Sequence, residues 1–297
     1  MGEIIECVPN ISEGKRKEIV EEIIENLKKT GVKILDYSSD PDHNRSVITF
    51  VGNKQSVEKG AMQVAKDAVR LIDLKNHQGT HPRMGAVDVI PFIPVKDVTI
   101  DDCIELSKKT GKKIAEELNV PVYLYAESAT KPERKKLPNI RKGEFEGYFE
   151  KIKDPDWLPD FGKPVVHPSA GVTAVGAREF LIAYNINLGT TNMNIANKIA
   201  RSIRDSSGGL HYIQAKGMKL KDKECVQVSI NILNYKKAPL YRVFEIVKME
   251  AKRYGVNVLE SELIGLMPMN AALKSLAFYL QLSKLTEQQI LESKICE

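Results

Sequence analysis

The amino-acid sequence predicts an α+β fold built from two similar halves. Stretches with apolar residues every three or four positions, typical of helices, alternate with short apolar stretches typical of strands. The resulting element order is βαββαβ in each half, and a region rich in proline and glycine at residues 130–168 separates the halves. This order is that of the ferredoxin-like α/β sandwich. We therefore expect two ferredoxin-like (βαββαβ) α/β-sandwich subdomains with a ligand groove between them.

In the first half, four strands and two helices are predicted before a further helix–strand pair. The strands cover residues 3–8, 32–37, 46–51 and 87–95. Ser12 is placed as the N-cap of the first helix, because serine hydroxyls accept hydrogen bonds from N–H groups at helix starts. Pro91 and Pro94 place the fourth strand at an edge or at a bulge, since proline cannot donate to a sheet. A helix at 101–118 and a strand at 120–126 follow.

The second half repeats the pattern. Its predicted strands cover residues 180–188, 210–218, 225–233 and 256–263, and a last helix covers 271–282. Thr190 or Thr191 is placed as the cap of its first helix. We expect an N-terminal subdomain at 1–178, including a connecting loop at 153–173, and a C-terminal subdomain at 179–297.

Composition and charge exclude several classes of function. The chain has 297 residues, with 44 Lys and Arg against 39 Asp and Glu, and the two signs are interspersed. Nucleic-acid binding requires clustered positive charge, so we expect no nucleic-acid partner. A small positive excess favours an anionic small molecule instead. No apolar stretch approaches the about 20 residues that span a bilayer, so we expect no membrane association.

Four cysteines stand too far apart to form a metal-ligand motif: Cys7, Cys103, Cys225 and Cys296. Together with the lack of a predicted leader sequence, this pattern indicates reduced thiols in a cytoplasmic protein without a metal site.

The loop at residues 79–88, just before an apolar strand, contains the strongest catalytic candidate, His81. Histidine titrates near pH 6.5 and therefore suits proton transfer. Pro82 favours extended backbone at His81 and directs the ring away from the preceding helix. The alternative is a ring that only binds a backbone carbonyl. His77 lies four residues earlier, but Gly79 and Pro82 argue against the helix that would align both histidines on a metal.

Other polar segments could bind ligands. Arg45 ends a loop rich in acids and amides, and a guanidinium can bind a carboxylate through two parallel hydrogen bonds. Asn10 and Ser12 lie in a strand-to-helix turn where N–H groups can hold an anion, although Ser12 could serve only as a cap. Asn185 and Asn187 share one side of a strand, and amides suit a heterocycle edge or a glutamate moiety. The loop at 161–171 could line a flat aromatic ligand or act only as a linker.

Several segments are specific in combination: Glu6-Cys7-Val8-Pro9-Asn10, Ser12-Glu13-Gly14, His81-Pro82-Arg83-Met84-Gly85-Ala86, Pro159-Asp160-Phe161-Gly162 and Phe180-Leu181-Ile182-Ala183-Tyr184-Asn185-Ile186-Asn187-Leu188. They resemble the glutamate formimidoyltransferase family, the transferase part of the formimidoyltransferase–cyclodeaminase proteins. The resemblance extends through about Tyr279, and we expect a stand-alone form without the cyclodeaminase part.

The resemblance implies transfer of a formimidoyl group from N-formimino-L-glutamate to N5 of tetrahydrofolate, giving 5-formimidoyltetrahydrofolate and glutamate, in histidine degradation. Tetrahydrofolate is then a co-substrate, and no metal is needed. The resemblance also implies a homodimer, folate in the groove between the subdomains, and His81 as the general acid and base. Arg45, Arg83 and Arg178 are candidates for binding the glutamate carboxylates. The family's folate-binding stretch falls on Gly162, Lys163, Pro164, Val165, Val166, His167, Pro168, Ser169, Ala170 and Gly171.

Two positions depart from the family pattern. Ser38 stands where the family has an acid, so Asp36, Asp40 or Asp42 is expected to assist the histidine instead. Ala170 replaces an aromatic residue of the folate loop. Because an altered acid could change the accepted donor, formyl transfer between 5-formyltetrahydrofolate and glutamate is the alternative function. A non-catalytic folate-binding protein is the second alternative.

Overall fold

A computed structural model describes residues 2–220 and 223–295 of the chain. The chain divides into two compact units, Met1–Glu179 (unit 1) and Phe180–Glu297 (unit 2), each with its own sheet and helices. The α+β class predicted from the sequence is confirmed. Cys296 lies outside the described residues.

Unit 1 contains seven strands and five helices in its described part. The strands are β1 (Ile4–Cys7), β2 (Asn10–Ile11), β3 (Lys33–Asp40), β4 (Arg45–Gly52), β5 (Val87–Lys96), β6 (Val122–Ala126) and β7 (Thr173–Ala177). The helices are α1 (Lys17–Lys28), α2 (Lys54–Leu71), α3 (Ile100–Leu118), α4 (Leu137–Arg141) and α5 (Glu144–Lys151). The spatial order of the strands is β3, β4, β1 with β2, β5, β7, β6, and β5, β7 and β6 run parallel.

The sheet of unit 1 is larger than the four strands of a ferredoxin-like unit, because β6, which was predicted at residues 120–126, and β7 extend it beyond β5. The prediction missed β7, whose Thr173–Ala177 stretch is short and made of small residues. The strand β5 lies inside the sheet, not at its edge. A register irregularity between β1 and β5, at the pairing of Ile5 with Pro94, shows that the bulge alternative was the right one.

One face of this sheet is covered by α1, α2 and α3. Helix α1 buries Val20, Ile23, Ile24 and Leu27, which recur at helical spacing. Gly60 of α2 lies so close to the Phe50 ring that a Cβ atom there would be 2.9 Å from it. The helices and strands therefore form one packed core, which side chains from α4 and α5 also join.

The prediction that Ser12 caps α1 is wrong. The helix begins after Arg16, and no side chain caps it. Ser12 is buried, and its hydroxyl donates to the Gly85 carbonyl over 2.7 Å. The Glu13 carboxylate instead accepts the N–H groups of Lys15 and Arg16 ahead of the helix. From sequence alone, a serine before an apolar helical pattern is predicted to be an N-cap. The sequence does not show that its hydroxyl binds a carbonyl far along the chain instead.

The other face of the sheet carries polar residues, as the strand register shows. Asn10 lies opposite Val47, and Glu6 lies opposite Val51. Because side chains alternate along β4, Arg45, Val47 and Val51 share a face, and Glu6 and Asn10 share it with them. We call this surface of unit 1 the polar face.

The region between β6 and β7 is held by a buried arginine and a half-buried lysine. The Arg134 guanidinium is 2.7 Å from Asp160 and lies over the Tyr123 ring at 5.1 Å. Lys151 donates to the Ile140 carbonyl over 2.6 Å, and its ammonium lies 3.8 Å from the centre of the Trp157 ring. Burial lowers the pKa of Lys151 to about 8. These contacts fix the end of α4 and thereby place the residue that ends it, Arg141.

Unit 2 contains β8 (Ile182–Leu188), β9 (Ile213–Leu220), β10 (Cys225–Ile232), β11 (Val258–Ile264), α6 (Met193–Ile203), α7 (Leu240–Arg253), α8 (Met269–Tyr279) and α9 (Leu291–Ile295) within its described part. The sheet is antiparallel, in the order β11, β8, β10, β9. Helix α6 is capped by the Asn192 side chain, so the caps predicted at Thr190 or Thr191 are wrong. An apolar core lies between the sheet and the helices.

The described cysteines Cys7, Cys103 and Cys225 are buried and unpaired. Burial raises the pKa of the Cys7 thiol and raises that of Cys103 to about 12, so both behave as small apolar groups. No helix in residues 2–220 and 223–295 is both long and apolar enough to cross a membrane.

Candidate active site

Three loops of unit 1 meet beside the polar face: residues 10–16, 40–45 and 77–88. The Thr80 N–H donates to the Asp42 carbonyl over 3.1 Å. The Asn44 side chain links the other loops, accepting from the Gly14 N–H over 2.9 Å and donating to the Gln78 carbonyl over 3.1 Å. A Cβ atom at Gly79 would lie 2.2 Å from the His43 carbonyl oxygen, so only glycine permits this approach. The loop that carries His81 is therefore held in place from two sides.

His81 is half-buried in this junction. Burial lowers the pKa of its ring to about 2, and the positive charges of Arg45 and Arg141 act in the same direction. The His43 ring lies edge-on to it, with ring centres 5.9 Å apart, and Nδ1 of His43 is 2.9 Å from the Asp40 carboxylate. At neutral pH the His81 ring is therefore uncharged.

Arg45 differs from the other guanidinium groups nearby because it forms no ion pair with a described carboxylate. Its Nη2 donates to the Asn10 side-chain oxygen, and its Nε is buried without a hydrogen-bond partner among the described residues. Burial, together with the charge of Arg141, lowers the pKa of Arg45 to about 10. Arg45 is thus a desolvated cation with unused donor capacity.

Arg83, which the sequence also offered as a carboxylate ligand, is already paired. Two of its nitrogens donate to the Glu146 carboxylate over 2.8 and 2.6 Å, and a third contact reaches Glu144 at 3.2 Å. Its Nε donates to Nδ1 of His77 over 3.1 Å, while Nε2 of His77 donates to the Asn44 carbonyl over 2.8 Å. Both nitrogens of His77 are therefore in use. Within the described residues, no group of three or more His, Cys, Asp or Glu side chains could hold a metal ion.

Arg141 and Asp88 form a buried ion pair that the sequence analysis missed. Oδ2 of Asp88 accepts from Nε of Arg141 over 2.8 Å and lies 2.6 Å from its Nη2. Oδ1 of Asp88 accepts the Met84 N–H over 2.8 Å. The pair joins the end of α4 to the segment that follows His81. The sequence pattern does not show that these two residues, 53 positions apart, are in contact. An aspartate at the start of an apolar strand is the one signal that pointed to Asp88.

The predicted folate loop lies directly against this segment. Gly171 and Gly85 face each other across a β-bridge, and a Cβ atom at Gly171 would be 2.1 Å from the Met84 carbonyl oxygen. Gly171 also has a φ of +70°, which favours glycine. The Ala170 carbonyl accepts the Ala86 N–H over 2.9 Å. The structure thus places the end of the loop at 162–171 beside the segment that follows His81.

The other loop residues differ in exposure. Val166 and Ala170 are buried, whereas Gly162, Lys163, Pro164, Val165 and Pro168 are exposed and His167 and Ser169 are half-buried. Nδ1 of His167 accepts the Ala170 N–H over 3.0 Å, and this hydrogen bond closes the turn at residues 167–170. The exposed part of the loop is free to contact a ligand.

The candidate acids of β3 lie on the polar face. Asp36, Ser38 and Asp40 are opposite Thr49, Val47 and Arg45 respectively. Asp40 also accepts the N–H groups of Asp42 and His43, each over 2.9 Å. Asp40 is therefore linked through His43 toward His81, whereas no contact of this kind is described for Asp36.

The predicted ligands outside the histidine loops have different surroundings. Asn187 is buried and fully engaged, because Gln227 donates to its oxygen over 2.8 Å and its nitrogen donates to Glu260 over 2.9 Å. Asn185 lies on the same side of β8 and is half-buried. Arg178 follows β7 in unit 1, and its N–H donates to the Phe92 carbonyl over 3.1 Å.

The fold and the site together define a two-unit α/β protein with an arginine-rich site around a neutral histidine. Residues 4–178 match the family model described as "Formiminotransferase domain, N-terminal subdomain", and residues 183–296 match the model described as "Formiminotransferase domain". The chain therefore belongs to the formiminotransferase family.

Individual relatives agree. A protein of Streptococcus pyogenes serotype M1 named glutamate formimidoyltransferase is 50% identical over 99% of both chains. A protein of the same name from Thermoplasma acidophilum is 48% identical over 98% of this chain and 97% of its own. The formimidoyltransferase-cyclodeaminase of Rattus norvegicus is 45% identical over 96% of this chain but only 54% of its own length. The predictions of a member of this family and of a transferase enzyme are confirmed.

Proposed function

We propose that the protein transfers the formimidoyl group of N-formimino-L-glutamate to N5 of tetrahydrofolate, with His81 as general acid and base. One observation carries the proposal: a histidine ring kept neutral by burial stands beside a desolvated guanidinium without a carboxylate partner. The first group is unprotonated at neutral pH, as a general base must be, and the second suits an anionic substrate. The names of the relatives support the identity of the transferred group.

The chemistry follows from this arrangement. N5 attacks the formimidoyl carbon and forms a tetrahedral intermediate. His81 takes the proton that N5 loses and then gives it to the glutamate nitrogen, so that the C–N bond to glutamate breaks as that nitrogen leaves. The ring returns to its neutral state, and no electrons are exchanged. Holding both substrates together lowers the entropic cost of their reaction.

Arg45 is the carboxylate ligand that the geometry favours among the three arginines predicted. Arg83 is satisfied by Glu144 and Glu146, whereas Arg45 has only a neutral amide, that of Asn10, as its described partner. A carboxylate of formiminoglutamate would supply the missing acceptor for Nε. We assign the exposed part of the loop at 162–171 to tetrahydrofolate.

The same proposal includes the finer expectations about organisation. We propose subdomains at 1–178 and 179–297, each built around a ferredoxin-like βαββαβ core. In unit 1 this core comprises β1 to β5, and in unit 2 the four-strand order agrees with it. A homodimer in the cytoplasm is also proposed, on the basis of the sequence resemblance and the three unpaired buried thiols.

His81→Ala tests the catalytic role. We expect turnover of formiminoglutamate with tetrahydrofolate to fall by about 10²–10⁴-fold, because one group performs both proton transfers. His211→Ala is the matched control, since that histidine is exposed in unit 2 with 86% of its side chain accessible. Product formation is followed by mass spectrometry, and unchanged turnover of His81→Ala would rule out the role.

Formyl transfer between 5-formyltetrahydrofolate and glutamate is the second candidate, favoured by Ser38 on the polar face opposite Val47. A serine cannot carry the charge that an acid there would present to an amidinium-like donor. Assaying both reactions with one preparation separates them, and a higher kcat/KM with the formyl donor would replace the first proposal. Folate binding without either reaction would support a non-catalytic role.

A further inference from the structure

Glu6 is a buried carboxylate to which neither the sequence pattern nor the proposed mechanism gives a role. It lies on β1, between β4 and β5 inside the sheet of unit 1, and only 5% of its surface is accessible. No hydrogen bond or ion pair of its carboxylate is found among the described residues. Buried polar groups are nearly always hydrogen-bonded, because an unpaired one costs free energy. Neither oxygen of Glu6 is among the fully enclosed side-chain atoms that lack a partner, so the carboxylate is not sealed off and a ligand can reach it.

The other buried carboxylates of the described residues all have partners. Glu13 binds Arg16, Glu58 binds Lys109 and Lys113, Asp67 binds Arg70, and Asp88 binds Arg141. Each of these acids is explained by the fold. Glu6 has no such partner, and an acceptor without a donor in the protein can take its donor from a ligand.

Two further polar groups share the polar face with Glu6. Glu6 is opposite Ile93 of β5, and Pro91 lies two residues before Ile93 on the same strand. Gly176 of β7 is opposite Pro91, and Tyr125 of β6 is opposite Gly176. Alternation along the strands therefore places Tyr125 on the face that carries Glu6. Arg178 follows Gly176 by two residues. Its guanidinium donates to the Glu179 carbonyl over 3.0 Å, and its charge acts on Tyr125 electrostatically.

Glu6 and Arg178 present a carboxylate next to a guanidinium. The charge of Arg178 acts on Glu6 electrostatically, although the two form no ion pair within 4.0 Å. A carboxylate accepts two parallel hydrogen bonds, and a guanidinium donates them. The pair therefore complements a ligand edge with two adjacent N–H donors followed by one carbonyl acceptor.

We propose that Glu6 and Arg178 bind the pyrimidine edge of the pterin ring. The carboxylate accepts from N3–H and the 2-amino group, and the guanidinium donates to the 4-oxo group. This assignment rests on the proposed function, which makes the pterin-bearing tetrahydrofolate a substrate. Burial raises the pKa of Glu6 to about 7, and two N–H donors would hold the carboxylate in its ionised form.

The distances along the strand are compatible with His81 acting on the same ring. Glu6 and Asn10 are four residues apart on nearly continuous strands, so their Cα atoms are separated by about 13 Å. Asn10 binds Arg45, whose charge acts on His81. A bicyclic ring and the side chains at either end fill such a span, and the ring would present N5 toward the histidine.

The test compares ligands as well as variants. Calorimetry measures the affinity of wild type, Glu6→Gln and Glu58→Gln for 5-formyltetrahydrofolate and for its analogue without the 2-amino group. We expect wild type to bind the 2-amino ligand about 10- to 100-fold more tightly than the analogue, because a buried acceptor would otherwise stay unpaired. Glu6→Gln should lose most of this preference. Glu58→Gln is the control, since that carboxylate is equally buried among the helices.

Each outcome has a defined meaning. Equal affinity of wild type for both ligands, or an unchanged preference in folded Glu6→Gln, overturns the assignment while the proposed function stands if turnover is normal. Failure of wild type to bind 5-formyltetrahydrofolate, together with no turnover, overturns the proposed function as well. The comparison of ligands on wild type stays decisive even if Glu6→Gln does not fold.

Discussion

Asp88→Asn should destabilise the protein far more than an equally short ion pair on the surface would. In the wild type, Oδ2 of Asp88 receives two nitrogens of Arg141 at 2.8 and 2.6 Å, while Oδ1 accepts the Met84 N–H. The substitution keeps one oxygen but replaces the other by an amide nitrogen. That nitrogen is a donor and would face the donors of the guanidinium.

The magnitude follows from burial. The side chains of Asp88 and Arg141 are only 3% and 14% exposed, so water screens their interaction little. Removing one member of a buried ion pair leaves an unpaired charge and costs about 3–5 kcal/mol. For a protein of this size, each kcal/mol lowers Tm by about 2–4 °C, so we expect Tm to fall by roughly 6–20 °C.

Differential scanning calorimetry measures this change, and Glu150→Gln supplies the control. Glu150 lies 2.7 Å from Lys153, a distance like that of the buried pair, but both side chains are mostly exposed. Its removal should cost at most about 0.5 kcal/mol. A cost below about 1 kcal/mol for Asp88→Asn would refute the reasoning, because it would mean that Arg141 is solvated or finds another acceptor.

Three further predictions concern titration and backbone geometry. Burial and nearby cations hold the pKa of His81 at about 2, so NMR should show no titration of its ring resonances between pH 5 and 8. Arg141→Met should raise that pKa, because it removes one of the cations. A titration midpoint near 6.5 in the wild type would contradict this prediction. Burial raises the folded-state pKa of Glu6 from 4.5 to about 7, so its contribution to stability falls as pH rises between these values. Glu6→Gln does not titrate, so its free energy of unfolding minus that of the wild type should increase from pH 5 to pH 8, by about 3 kcal/mol at most. A difference that stays constant with pH would contradict the raised pKa of Glu6. Gly171→Ala should lower Tm more than Gly208→Ala. Both glycines have a positive φ, but only a Cβ atom at residue 171 would also clash with a carbonyl oxygen. Equal decreases in Tm would show that the neighbouring segment moves to make room.

The sequence predicted most helices and strands because their apolar residues follow regular spacing. Helix α1 with Val20, Ile23, Ile24 and Leu27 is an example, since its period needs no knowledge of its neighbours. The strand β7 was missed because its five residues, which are short and mostly small and follow the proline-rich region, have no such period. The cap at Ser12 was misplaced because the competing acceptor, the Gly85 carbonyl, is 73 residues away.

The candidate site could be predicted only where local sequence determines it. His81 stood out because glycine and proline surround a titratable ring on a loop. Arg141 and Glu6 did not, because their significance depends on contacts across the sheet: Arg141 on its pairing with Asp88, and Glu6 on the lack of any described partner. The distinction between Arg45 and Arg83 likewise needed coordinates, since both precede apolar strands in the sequence.

The close approach of Gly85 and Gly171 has a consequence for changing this protein by design. Their backbones meet with no room for a side chain on either, since a Cβ atom at each would be within about 2.2 Å of a carbonyl oxygen of the other strand. The segment beside His81 and the end of the loop at 162–171 therefore behave as one rigid part. A loop transplanted from a relative should be exchanged together with residues 84–86, and libraries that vary one segment alone should yield few folded members.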